Sequence, residues 1–232
     1  LDTNTASMII DHTCRDIDAI PQAAIEQAKS KLHIAYGHTS HGSQLVTGMT
    51  GLIDFKGALY TFNNGGTDGA LDLRDKPSPM ELDLGQNPEW AKDTRDYLND
   101  HPEVNVIIWA WCGQVSDASE NDIIIYLSQM TALESDYPGV KFVYMTGHLD
   151  GTPLTSNLHL RNEQIGAYCR AQKKILYDFA DIESYDPDGV YYGEDFVDDN
   201  GVTDEPLPIR CKVTVQGDTV HIDFEGTADQ VG

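Results

Sequence analysis

The segment Val104–Trp111 decides the fold of this chain, and it reads Val-Asn-Val-Ile-Ile-Trp-Ala-Trp. A near-continuous apolar run is typical of a strand that is covered on both faces, as in a parallel sheet. Shorter apolar segments lie on both sides of it along the chain, at Leu32–Tyr36, Ala58–Phe62, Val140–Met145 and Ile175–Phe179. The sequence therefore predicts five strands.

Helical segments alternate with these strands. Apolar residues at helical spacing, or a proline at the first turn, mark the segments Pro21–Ser30, Gln44–Phe55, Pro88–Asn99, Asn121–Tyr137 and Asn157–Gln172. A strand–helix alternation of this kind is typical of parallel βαβ units. We therefore predict an α/β fold with a doubly wound, five-stranded parallel sheet.

The composition is that of an acidic globular protein. A hydrophobic content of 40% in 232 residues is enough for a core, which excludes a disordered chain. The formal charge of −23 argues against a nucleic-acid-binding protein, because phosphate binding needs clustered Lys and Arg. No apolar run reaches the roughly 18 residues that a membrane span requires. We expect no nucleic-acid partner and no membrane span.

The chain begins at Leu1, which we interpret as a processed N-terminus, and we expect an extracellular or cell-surface protein. The spacing of its cysteines disfavours a zinc site. In an exported protein they are compatible with two disulfides, whereas Cys112 and Cys169 lie in apolar stretches that favour buried thiols.

The composition changes at Asp181, after which the chain is rich in Asp, Gly and Tyr. Two alternating segments, Ile209–Val215 and Thr219–Phe224, flank a Gly-Asp turn and predict a β-hairpin. We therefore predict an α/β domain at residues 1–204 and a hairpin tail at residues 205–232. In the acidic segment after Asp181, Asp186 and Asp188 are candidate ligands of a structural calcium ion, and a solvated acidic loop is the alternative.

Polar residues and glycines follow every predicted strand, at the point where the strand ends. In an open parallel sheet the ligand binds beyond the carboxyl ends of the strands, so these residues predict a functional site. In chain order the candidates are His38, Ser40, His41, Gly42, Asn64, Gly65, Gln114, His148 and Asp181.

Ser40 is the candidate nucleophile, because it follows a buried strand and precedes a helix whose first amides, near Gly42, are placed to bind an oxyanion. A serine hydroxyl reacts only when a base takes its proton. We predict His148 as that base, with Asp181 as the third catalytic residue. The alternative for His148 is a histidine at the strand ends that bonds to a loop carbonyl. The structural alternative is that Ser40 caps the helix.

The remaining candidates have predicted binding roles. Asn64, Gly65 and Gln114 are candidate amide donors to the oxyanion, although the first two also fit an ordinary turn. His38 and His41 either line the substrate cleft or bind a metal ion.

Four blocks at the strand ends carry a family resemblance. They are Gly37-His38-Thr39-Ser40-His41-Gly42-Ser43-Gln44, the segments 109–114 and 144–148, and the segment 178–189. Together they resemble a divergent branch of the SGNH/GDSL hydrolases over about residues 8–200. The resemblance implies a flavodoxin-like three-layer α/β/α fold and a Ser-His-Asp ester hydrolase that needs no metal and acts on a small-molecule or glycan ester.

The resemblance places Ser40 at the family's nucleophile, Gly65 or Asn64 at its glycine, and Gln114 where the family usually has Asn. The first block lacks the family's Gly-Asp-Ser triplet. The family's final Asp-x-x-His motif is matched downstream only at Asp218 to His221, within the predicted hairpin. The tail at Ile209–Gly232 instead resembles a short stretch of the hydantoinase B/oxoprolinase family.

Two functions follow from these observations. The first is a serine esterase, acting on a carbohydrate ester, that forms an acyl-enzyme at Ser40 and requires no cofactor. The alternative is a non-catalytic surface or binding protein on the same scaffold, without its catalytic base and with bound calcium. A metal-dependent hydrolase that uses His38, His41 and His148 ranks third, because their spacing is not a zinc signature.

Overall fold

The structure is a computed structural model that describes residues 7–185, 192–197, 207–216 and 219–225. The chain divides into two compact units, Leu1–Ala180 and Asp181–Gly232. Every helix in the described part of the chain is too short or too polar to cross a lipid bilayer.

The first unit contains a seven-stranded sheet in which every neighbouring pair is parallel. The spatial order is β1-β7-β6-β5-β2-β4-β3. The strands are β1 (Met8–Ile10), β2 (His33–Gly37), β3 (Phe62–Asn63), β4 (Leu71–Asp75), β5 (Val106–Trp109), β6 (Lys141–Met145) and β7 (Ile175–Tyr177). The predicted α/β class is confirmed, and the segment that decided it supplies the central strand β5.

Helices flank the sheet. They are α1 (Gln22–Lys31), α2 (Ser43–Lys56), α3 (Trp90–Asp100), α4 (Glu120–Asp136) and α5 (Asn157–Ala171), with the short α6 (Phe179–Glu183) after β7. The larger apolar core contains buried residues of α3, α4 and α5, and a second, smaller core takes in the partly buried apolar side chains of α2. Capping residues set some of the helix starts: Ser119 and Asp122 form a capping box on α4, and Ser156 caps α5.

The predicted count of five strands is wrong, because β1 is only three residues long and β4 alternates apolar with charged residues. The strand β4 reads Leu-Asp-Leu-Arg-Asp, yet Asp72 and Arg74 are both buried. They lie 3.1 Å apart as an ion pair, which is how a strand interior accepts two charges. The predicted strand Ala58–Phe62 is mostly a 3-10 turn at Ala58–Tyr60, and only its last residue enters β3.

The second unit contains a three-stranded antiparallel sheet in the order β10-β9-β8. Its strands are β8 (Tyr192–Val197), β9 (Leu207–Gln216) and β10 (Thr219–Asp223). The predicted hairpin is confirmed, since β9 and β10 pair with His221 opposite Thr214, and β8 extends it. The candidate calcium ligands Asp186 and Asp188 lie outside the described residues.

Candidate functional site

The sheet has a switch point between β2 and β5. After β2 the chain adds β3 and β4 on one side, and from β5 onward it adds β6 and β7 on the other. A crevice opens at such a point beyond the carboxyl ends of the strands, and ligands of doubly wound folds bind there. The turn after β2 contains His38 to Gly42, and the turn after β5 contains Cys112 to Gln114.

Three side chains from three different strand ends meet at this switch point, and we call them the His–Cys cluster: His41, Cys112 and His148. The His41 and His148 rings stack with their centroids 3.6 Å apart and their planes 18° apart. The Cys112 Sγ lies 3.8 Å from His41 Nδ1. One ligand atom from each of the three residues lies within 4.8 Å of the others. Burial, followed by the charge of the neighbouring His148, lowers the pKa of His41.

The orientation of His148 is determined by its neighbours. Its Nδ1 contacts the carbonyl oxygen of Leu149, and since a carbonyl only accepts, Nδ1 carries the proton. The Nε2 atom therefore holds a lone pair. This atom is buried and has no hydrogen-bond partner among the described residues. The preceding Gly147 is held from both sides by Asn162, whose side chain accepts from the Gly147 amide (2.8 Å) and donates to its carbonyl (3.3 Å).

Ser40 begins the 3-10 turn Ser40–Gly42 that leads into α2. Its backbone has a φ of 34°, in the left-handed region that non-glycine residues rarely adopt. The residue is exposed, and its hydroxyl makes no hydrogen bond with the described part of the chain. Ser40 is therefore a strained, accessible residue rather than a helix cap, which fits the prediction of a reactive position.

Gly42 has a packing role in this turn. A Cβ atom there would lie 2.5 Å from the His38 Cβ and 3.0 Å from the Ala110 Cβ, so only glycine allows this close approach. Its amide donates to the Thr39 carbonyl oxygen at 2.8 Å. The predicted oxyanion role of Gly42 stays a prediction, and it requires that this bond open.

His38, in the turn after β2, is buried, and its predicted role in the cleft or at a metal ion stays a prediction. Its Nε2 lies 2.6 Å from Asp75 Oδ1, at the carboxyl end of β4. Burial lowers the pKa of His38, and the hydrogen bond and charge of Asp75 only partly oppose this effect. The adjacent Thr39 donates its hydroxyl to Asp83, a fully buried carboxylate that also accepts the Gly85 and Gln86 amides.

The sheet order separates Asn64 and Gly65 from Ser40. They follow β3, and β4 lies between β3 and β2, so the two strand ends are about 10 Å apart. The Gly65 amide donates to Asp72 Oδ1 at 2.8 Å, while Asn64 is exposed. The strand that ends beside β2 is instead β4, whose last residue is Asp75. Asp75 was not predicted as a site residue, because β4 was not recognised as a strand.

A cavity of about 420 Å³ is lined by residues of the turn after β5 and by residues of α4. Trp111 and Gln114, which flank Cys112 and Gly113 in the chain, line it together with Tyr126 and Gln129 of α4. The side-chain oxygens of Gln114 and Gln129 are buried without a hydrogen-bond partner in the described part of the chain. Gly85 completes the wall, because a Cβ there would lie 2.4 Å from the Gln114 Cβ. The lining of the cavity thus combines aromatic side chains with two side-chain amides.

Part of the chain is similar to a known family. Residues 169–232 are similar to the hydantoinase B/oxoprolinase family. The matched segment is longer than the sequence analysis expected, since it begins at Cys169 in α5 and includes β7. It covers little more than a quarter of the chain and contains no residue of the His–Cys cluster. No curated protein matches the chain.

The structure brings Ser40, His41, Gln114 and His148 to one edge of the first unit. Asp181 is half-buried in α6 and belongs to the second unit, so its catalytic role stays a prediction. Cys112 also belongs to the site, although its apolar neighbours in the sequence favoured a buried thiol. Its partners come from the ends of β2 and β6, and spacing along the chain could not have indicated them.

Proposed function

We propose that this protein is a serine ester hydrolase of the SGNH type, which cleaves an acyl ester through a covalent acyl-enzyme at Ser40. The observation that carries the proposal is the exposed, left-handed backbone of Ser40 in the turn that follows β2. Strained turns between a strand and a helix are where several hydrolase folds present a nucleophile. The resemblance of the strand-end blocks to the SGNH/GDSL family supports the same serine.

His148 is the proposed general base. Its Nε2 has a lone pair, no competing partner among the described residues, and a ring held in place through Nδ1. The Ser40 oxygen attacks the ester carbonyl, Nε2 takes the hydroxyl proton, and the same proton leaves with the alcohol. Water then hydrolyses the acyl-enzyme. The Ser40 side chain turns towards His148 when substrate binds, as is common for catalytic hydrogen bonds that are absent from ligand-free structures.

The cavity supports a carbohydrate ester as the substrate. Trp111 and Tyr126 line the cavity, so part of its wall is aromatic and suits the C–H side of a sugar ring. The side-chain amides of Gln114 and Gln129 also line the cavity, and their oxygens accept hydrogen bonds from sugar hydroxyls once they turn towards it. Asp117 and Asp122 also line the cavity, and their charges disfavour an anionic substrate.

A fluorophosphonate probe tests the nucleophile. The probe should label the wild-type protein on the peptide that contains Ser40, as located by mass spectrometry. Ser40→Ala should abolish labelling, whereas Ser43→Ala should retain it. His148→Gln should slow labelling by about 100-fold or more, because a general base contributes roughly 10²–10⁴-fold, and His159→Gln serves as its control. Labelling that survives in Ser40→Ala would overturn the proposal.

A folded wild-type protein that takes no label would favour the alternative, a binding protein on the same scaffold. The cavity would then be its ligand site. Glycan binding measured by calorimetry, with Gln129→Leu as the weakened variant, separates the two functions, because binding does not require Ser40.

A further inference from the structure

We infer that the protein binds one zinc ion at the switch point of the sheet, through His41, Cys112 and His148. The site lies wholly in the first unit, and it does not depend on whether Ser40 reacts.

The distances in the His–Cys cluster are close to those of a coordination sphere. Zinc binds imidazole nitrogen at about 2.0–2.1 Å and thiolate sulfur at about 2.3 Å, which in a tetrahedral site separates nitrogen from sulfur by about 3.6 Å. The observed separation between His41 Nδ1 and Cys112 Sγ is 3.8 Å. Each ligand atom lies within 4.8 Å of the other two. The nitrogen–sulfur pair therefore needs only a small contraction, whereas the two rings, whose planes are 18° apart, must move out of their stack before both direct a lone pair at one ion.

His148 is prepared as a ligand by the group that holds its other nitrogen. Metal-bound histidines usually donate their second ring N–H to a carbonyl or a carboxylate, which fixes the tautomer and aims the lone pair. The Leu149 carbonyl does this at Nδ1, and the buried Nε2 lacks a partner among the described residues. A buried nitrogen without a partner is costly unless something binds it.

The donor set selects the ion. Two imidazoles and one thiolate are softer ligands than calcium or magnesium accept, and they suit zinc. The Cys112 thiol is free to serve as a ligand, since it forms no disulfide in the structure.

Three protein ligands leave one tetrahedral position open, as in catalytic rather than structural zinc sites. The zinc ion would bind Nε2 of His148, the atom that accepts the Ser40 proton in the proposed esterase. Zinc and acyl transfer at Ser40 therefore exclude each other, and zinc would act as a reversible inhibitor of the esterase.

Cobalt substitution tests the site directly. The metal-free protein, titrated with Co²⁺, should take up one ion per chain. It should then show the intense d–d absorption of a tetrahedral site and a thiolate-to-cobalt charge-transfer band. Zinc should displace the cobalt. A pink octahedral spectrum or the absence of saturable binding would overturn the inference.

Variants assign the ligands. Cys112→Ser should remove the charge-transfer band, while Cys14→Ser, which alters an exposed cysteine outside the cluster, should keep it. His148→Gln should weaken zinc binding by more than about 100-fold. Loss of a residue that only supports a ligand already weakens metal binding by up to about 100-fold, and His148 is a ligand itself. Ser40→Ala should bind as wild type does. A charge-transfer band that persists in Cys112→Ser would contradict the assignment, and thermal melts in chelator establish that each variant is folded.

Probe labelling separates this inference from the proposed function. Zinc should slow fluorophosphonate labelling of Ser40 in the wild type, a chelator should restore it, and the effect of zinc should shrink in Cys112→Ser. If Ser40 never reacts but cobalt gives the tetrahedral spectrum, the esterase fails and the metal site stands. If Ser40 reacts and cobalt does not bind, the metal site fails alone.

Discussion

Individual polar residues near the sheet differ in whether their hydrogen bonds are already satisfied. Asp72 is 1% exposed, and its oxygens accept from His33, Arg74 and the Gly65 amide. Burial alone would raise the pKa of Asp72, but these donors outweigh it and hold the pKa below its usual value. A fully bonded group of this kind stabilises the fold, whereas the unpartnered Nε2 of His148 is left for a ligand.

His38 makes the stability of the protein depend on pH. Burial lowers its pKa in the folded state, against the opposing effect of Asp75 and with a small contribution from Lys76. In the unfolded chain the pKa of His38 is about 6.5, so below that pH the unfolded chain binds more protons than the folded chain does. The stability that neutral His38 contributes is therefore present above about pH 6.5 and is lost as the pH falls. The melting temperature of the wild type should decrease more steeply between pH 7.5 and pH 5.5 than that of His38→Gln.

The amide of the His38→Gln variant can still donate to Asp75, so the comparison changes titration more than packing. His159→Gln is the control for loss of an imidazole elsewhere, and it should follow the wild-type slope. Parallel slopes for wild type and His38→Gln would contradict the assignment of pH dependence to His38.

Local sequence signals of different strength determine where the helices around the sheet begin. The capping box on α4 is one of the strongest, because the Ser119 side chain and Asp122 each bond the other's backbone. Ser119→Ala should destabilise the protein by about 1 kcal/mol, a fall of roughly 2–4 °C in melting temperature at this size. Ser128→Ala, on the same helix, removes an exposed hydroxyl that only bonds the Ile125 carbonyl, and it should change little. Equal shifts in the two variants would show that the cap is not important.

A strand could be predicted from the sequence only where its buried side chains are all apolar. The central β5 stands out because both of its faces are covered, whereas β4 is hidden by the ion pair of Asp72 and Arg74. Such a pair becomes visible only when the neighbouring strands are in place. The edge strands β1 and β3 are three and two residues long, which is too short for any periodicity.

The residues of the candidate site could also be predicted only where the local sequence is informative. Ser40, His41 and His148 stand in polar turns directly after clear strands, so the rule that ligands bind at strand ends finds them. Cys112 and Asp75 become informative only through contacts with other strands: the thiol meets His41, and the carboxylate meets His38. The order of the sheet, which separates Asn64 from Ser40, is a long-range property that no local pattern contains.

The whole molecule consists of two units, and the residues of the His–Cys cluster all lie in the first. A chain shortened to residues 1–204 should therefore keep both the fluorophosphonate reactivity of Ser40 and the cobalt spectrum. In the full chain, His221→Ala should leave labelling unchanged, since His221 is an exposed residue of β10. A folded His221→Ala protein that no longer takes the label would show that the tail takes part in the reaction.

The ends of the large sheet have a consequence for how copies of this chain meet. Its outermost strands, β1 and β3, offer only three and two residues of backbone on their outer sides. Strand-to-strand polymerisation needs a long row of unpaired amides and carbonyls, and natural proteins suppress it with edge strands as short as these. The seven-stranded sheet is therefore a poor template for amyloid-like growth, and concentrated solutions of its unit should resist fibril formation.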